Sequence, residues 1–118
     1  MNYIDTVQLE KLRKFMSEEK IHSLFQSFFD PQVSGKANLI LAIQEGNHSD
    51  ILTKVHYLKG AASFIGMQAI YEHCLLIEDQ ITNNPSLNLE SLLNTFEQHW
   101  QESEAVVKKM MGNDAKPQ

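Results

Sequence analysis

The sequence predicts an all-α protein: an antiparallel four-helix bundle with an additional short N-terminal helix. Three observations carry this. Apolar residues recur at spacings of three and four along most of the chain, the period of a helix with one buried stripe. Asp, Ser or Asn stands ahead of those stretches, where a helix start needs a side-chain acceptor. Alternating strand patterns are scarce, and the only prolines are Pro31, Pro85 and Pro117. Four long amphipathic stretches with short connections bury their stripes best against one another.

The first element is "DTVQLEKLRKFM", a short helix with Asp5 as its cap and Gln8 in the capping-box position. It is expected to cover one end of the bundle. "SEEKIHSLFQSFF" opens the second, with Ser17 as cap and two glutamates in the first turn, where the helix dipole favours anions. Ile21, Leu24, Phe25 and Phe28 form its stripe. Pro31 and Gly35 interrupt it, but the pattern resumes with Leu39, Ala42 and Ile43 and stops at Gly46. The reading is one long, bent helix. Asn47 caps the next, which runs to Ile65, and Gly66 suits the left-handed residue past its end. Met67, Ile70, Cys74, Ile77 and Ile81 mark the following helix, and Asn83, Asn84 and Pro85 stop it. Asn88 caps the last, which carries Leu89, Leu92, Leu93, Phe96, Trp100, Val107 and Met110. Its lysines, Lys108 and Lys109, come late, as the dipole prefers. Residues 1–111 read as a single bundle and "GNDAKPQ", residues 112–118, as a flexible tail.

A chain of 118 residues suggests one domain, long enough to bury a core without staples. The formal charge of −5, with no basic cluster, argues against nucleic acid as a partner. One cysteine, Cys74, allows no intrachain disulfide and fits a reducing compartment. The N-terminus turns polar at once, unlike a signal peptide, and no apolar run approaches the roughly 20 residues of a membrane span. A cytoplasmic monomer is the expectation, either a complete small protein or a piece of a larger one.

The informative stretch is "HYLKGAASFIG", residues 56–66. On a wheel of about 100° per residue, Ile51, Val55, Leu58, Ala62 and Ile65 fall together as the core face. His56 points away from it, on a face with Ser49, Leu52, Thr53, Lys59, Gly60 and Ser63. Glycine inside a helix costs roughly 1 kcal/mol relative to alanine. At Gly60, one turn from His56, that cost is offset if another molecule must approach the imidazole. Lys59 can stabilise an anionic group attached to the ring, such as a phosphoryl group. Ser63 can donate a hydrogen bond. Leu52 and Phe64 offer apolar contact around the histidine. Blander readings stand beside these. His56 is then an ordinary exposed histidine and Lys59 a solvated lysine. Gly60 allows two helices to pack closely, Ser63 is merely small, and Glu78 is a solvated acid.

"HYLKGAASFIG" followed by "MQAIYEHCLLIE" resembles the histidine-containing phosphotransfer (HPt) domain. Its signature has the form H-x-L-K-G-x-x-x-x-x-G, then a helix with a cysteine or small residue and a glutamate. The upstream "AIQEGNHSDILTKVHYLKG" looks like the family's helix, turn and helix. The resemblance spans roughly residues 18 to 110 and is sharpest over 56–66. It implies a phosphorelay intermediate without ATP site or kinase activity, uncertain as an enzyme. Its partners would be response-regulator receiver domains and a hybrid sensor histidine kinase. It implies His56 as phosphoacceptor, Lys59 beside the phosphoryl group, Gly60 as the opening for the receiver and Glu78 as the residue fixing the imidazole tautomer. No cofactor is expected on this chain, since the family's Mg²⁺ comes from the receiver. The chain departs from the family at Pro31 and Gly35, and carries Ala62 and Phe64 at positions the family varies.

The rival reading is a non-catalytic four-helix adaptor, a degenerate HPt domain binding a signalling partner. A metal bundle is more distant: His22, His48, His73 and His99 are scattered and none forms H-E-x-x-H. Cys74 lies on an apolar stripe and reads as a buried structural thiol.

Overall fold

The computed structural model describes residues 2–84, 86 and 88–114. Among them are seven helices: α1 (Thr6–Arg13), α2 (Glu18–Phe29), α3 (Pro31–Ser34), α4 (Lys36–Glu45), α5 (His48–Ile65), α6 (Gln68–Asn83) and α7 (Leu89–Asp114). The starts follow their caps. The backbone amides of Gln8, Lys20, Asp50 and Ser91 donate to the side chains of Asp5, Ser17, Asn47 and Asn88. Each satisfies an amide that has no partner inside its helix.

The expected long second helix is three pieces. Proline crowds the residue before it out of the helical region, and Asp30 is extended, with φ −80° and ψ 112°. Its freed carboxylate then accepts the Gln32 amide at 3.0 Å and starts the short α3. Gly35 ends α3 in the left-handed region, φ +87°. A Cβ there would stand 3.2 Å from Cε2 of Tyr57, so both backbone and neighbour call for glycine.

Helix α5 packs against α4 and α6, and α7 packs against α6 and α4. Two-residue turns join α4 to α5 and α5 to α6, so these neighbours run antiparallel. The α2–α4 run fills the remaining corner, since α2 also touches α5 and α7. The predicted stripes are the core: Ile51, Val55, Leu58, Ala62 and Ile65 of α5 meet Ile70, Cys74, Ile77 and Ile81 of α6, all buried. Phe28 stacks on Trp100 with ring centroids 5.1 Å apart, and Phe29 meets the same indole edge-on.

Helix α1 covers the α5–α6 turn, as the sequence suggested. The Asp5 amide donates to Gly66 O at 2.8 Å, the Gln68 amide to Tyr3 O at 2.9 Å, and Ile4 pairs with Met67. Only half of the expected capping box forms. Gln8 turns its side-chain amide to Phe64 O, at 2.8 Å, and ties α1 to α5 instead. Helix α7 continues through Asp114, so residues 112–114 of the expected tail are helical, and 115–118 lie outside the described residues. Lys108 and Lys109 therefore stop short of the last turn, and Lys108 pairs with Glu104 one turn back. Pro85 also lies outside the described residues; α6 ends as Asn84 leaves the helical region. No described helix is long and apolar enough to cross a membrane.

Candidate functional site

The cap at Asn47 and the stripe from Ile51 to Ile65 fix the rotation of α5 about its axis. That rotation turns His56 outward, with its side chain 76% exposed. On one flank lies α6, and there three predicted residues come together. Lys59 Nζ donates to Glu78 Oε1 at 2.8 Å. The other oxygen, Oε2, stands 3.6 Å from His56 Nδ1, an electrostatic contact just beyond hydrogen-bond distance. Lys59 and Glu78 are each about a quarter exposed, so water screens the pair only partly. The hydrogen bond to Glu78 holds the Lys59 ammonium above its ordinary pKa, against an opposing effect of burial. An anion on the Nδ1 side favours the proton on that nitrogen. The imidazole as a whole stands open to solvent.

Gly60 is exposed, and a Cβ built on it meets nothing within 4 Å. The close-packing explanation for this glycine therefore fails: no other helix among the described residues needs the space. Ser63 is also exposed, and its carbonyl receives the Gly66 amide that closes the helix. Leu52 and Phe64 do not form one patch. Leu52 is half-buried against the core on the α6 flank, while Phe64 lies on the other flank, 50% exposed.

That second flank holds residues the sequence reading passed over. Tyr57 and Val33 are 60% and 56% exposed. They form a ridge between two depressions. One is an apolar groove of about 170 Å³ that reaches Phe28, Ala61 and Phe64. The other is a more polar cleft of about 350 Å³ that reaches Gly35, Thr53 and Lys54. Tyr57 was legible, since the wheel places it off the core face beside His56. Val33 was not, because its position depends on the break at Asp30.

Two of the scattered histidines are not scattered. His73 of α6 and His99 of α7 face each other with ring centroids 4.8 Å apart. His73 is buried, and burial first, then His99, lowers its pKa to about 4. Its place at three after Ile70 and four before Ile77 signalled the apolar stripe. Among the described residues no three His, Cys, Asp or Glu side chains converge as a metal site. Cys74 is fully buried, and burial pushes its thiol up to about 12, an inert structural group.

A helical bundle that presents one open imidazole, with a carboxylate behind it and a lysine beside it, has the makings of a phosphoryl carrier. The Hpt domain family matches residues 23–106, and the chain belongs to that family of phosphorelay proteins, which work with receiver and kinase partners. Its fold is similar to the crystal structure of histidine-containing phosphotransfer protein B (HptB) from Pseudomonas aeruginosa PAO1. The TM-score is 0.77 at 20% sequence identity, over 92% of this chain and 93% of that one, a likeness of fold. No curated protein matches the chain in sequence.

Proposed function

We propose that His56 accepts a phosphoryl group from a receiver aspartate, or directly from a kinase, and passes it to a response-regulator aspartate. The observation that carries this is the exposed imidazole, with Nδ1 3.6 Å from Glu78 Oε2 and an exposed glycine, Gly60, about one turn along the same helix. In the accepting step the Nε2 lone pair attacks phosphorus. The N–P bond forms, the P–O bond of the acyl phosphate breaks, and the aspartate leaves as carboxylate. The ring then carries a positive charge with its proton still on Nδ1, where Glu78 stabilises it. The reverse step hands the group to the next aspartate. Lys59 lies beside the arriving phosphoryl oxygens as a point charge, and Ser63 borders them as a small donor. Such transfer depends on positioning and charge neutralisation more than on acid–base groups. The Mg²⁺ of the reaction belongs to the receiver. Leu52 and Phe64 border the docking face on its two flanks.

The test is incubation with phosphoramidate, followed by intact-mass analysis and an acid-lability assay on the wild type and His56→Ala. One acid-labile phosphoryl group on the wild type alone is the expected result. A second reading, a non-catalytic adaptor, is favoured by the exposed ridge of Val33 and Tyr57. It predicts that His56→Ala keeps full partner binding and full biological output.

A further inference from the structure

We infer that the cleft between α3, α4 and α5 selects the receiver, by pairing Lys54 with an acidic side chain of the receiver and seating that region against Tyr57. This rests on the phosphorelay reading and adds to it the chemistry by which one receiver is preferred over another.

Position is the first argument. A stable protein–protein contact covers about 800 Å² per partner, a disc about 16 Å in radius. Thr53 precedes His56 by three residues, a rise of about 4.5 Å, and Tyr57 follows it directly. Both line the cleft. A receiver centred on His56 is therefore wide enough to reach the cleft where it extends over the α3 and α4 flank.

Charge is the second. The chain carries a formal charge of −5, yet the residues lining the cleft include one cation, Lys54, and no carboxylate. Lys54 is half-buried and makes no ion pair among the described residues. An ammonium without a counter-charge among the described residues is complementary to an anionic group on a partner, and such pairs govern specificity more than raw affinity.

Rigidity is the third. The cleft exists because the chain breaks at Asp30 and turns at Gly35. The Tyr57 ring lies directly over Gly35, so the wall nearest His56 is braced by backbone. A wall held in this way discriminates better than a mobile side chain.

The test uses the full chain and a panel of purified receiver domains; the receiver that relays fastest with the wild type is the probe. Lys54→Glu is expected to raise KM for the phosphorylated receiver by about tenfold, and Lys54→Met by less. Tyr57→Ala is expected to raise it too. All three variants keep kcat and phosphoramidate labelling of His56 within about twofold of wild type, and keep the wild-type helical circular dichroism. An unchanged KM in both Lys54→Glu and Tyr57→Ala overturns the inference. Equal increases in Lys54→Met and Lys54→Glu overturn the acidic partner. Sub-millimolar binding of inorganic phosphate at Thr53 and Lys54 by NMR, with KM insensitive to Lys54, assigns the cleft to a small anion and also overturns it. A wild type that takes no label on His56 overturns instead the phosphorelay reading beneath it.

Discussion

At the scale of the residue, Gly60 separates stability from function. A methyl group there meets nothing within 4 Å among the described residues outside its own stretch of helix, so only helix propensity is at stake inside the molecule. Gly60→Ala should stabilise the fold by up to about 1 kcal/mol, a rise of several degrees in Tm. Gly60→Gln should fold as well and yet block transfer from a phosphorylated receiver. Thermal melts and a relay assay on the same two variants check this, and unimpaired relay in Gly60→Gln removes the docking role. Lys59→Ala should slow relay or shorten the lifetime of the phosphohistidine, and it should leave Glu78 to His56 alone. An unchanged lifetime and an unchanged rate together would exclude the electrostatic role of Lys59.

At the scale of the element, the helix ends show where sequence is a reliable guide. Caps are local: Asn47, Ser17 and Asn88 act on amides three residues ahead, and their geometry follows from spacing alone. Gly66 was legible for the same reason, and its φ of +77° is real strain for any other residue. A Cβ at Gly66 would also stand 3.1 Å from Asp5 O, so Gly66→Ala should destabilise by about 1–2 kcal/mol, opposite in sign to Gly60→Ala. Denaturant titration measures the difference; equal effects at the two glycines would refute the assignment. What spacing alone could not supply was competition from distant groups. Gln8 had a local partner in the capping box but found Phe64 O across the turn. The apolar period continued past Pro31, which suggested one helix, while the steric rule for the residue before proline prevailed at Asp30. In the candidate site, the His56–Lys59–Gly60 run was readable because it lies on one helix. The cleft beside it was not, because it forms between three.

At the scale of the molecule, the seam between α6 and α7 makes stability depend on pH. His73 binds its proton near pH 6.5 in the unfolded chain and only at about 4 in the folded one. Between those values the unfolded state holds more protons, so stability falls as pH drops from 6.5 towards 4 and does not change above that window on account of this group. The loss is on the order of 3 kcal/mol at the acid end. His73→Leu should flatten that part of the profile; carboxylates add their own slope, and the comparison with wild type isolates the imidazole. Urea midpoints at pH 7 and pH 4.5 are the measurement, and parallel profiles for the two proteins would rule the imidazole out.

The clasp formed by residues 3–8 over the α5–α6 turn also bears on the order of assembly. Its bond from Gln8 to Phe64 closes a separation of 56 residues, whereas α5 and α6 meet through a two-residue turn. Contacts that close long loops form after local ones. The α5–α6 hairpin should therefore come together first and the N-terminal segment settle on it last. In hydrogen exchange the amides of Asp5 and Gln68 should then open ahead of those in the middle of α5. The turn that follows the phosphoacceptor helix would thus be held by the part of the chain that lets go first.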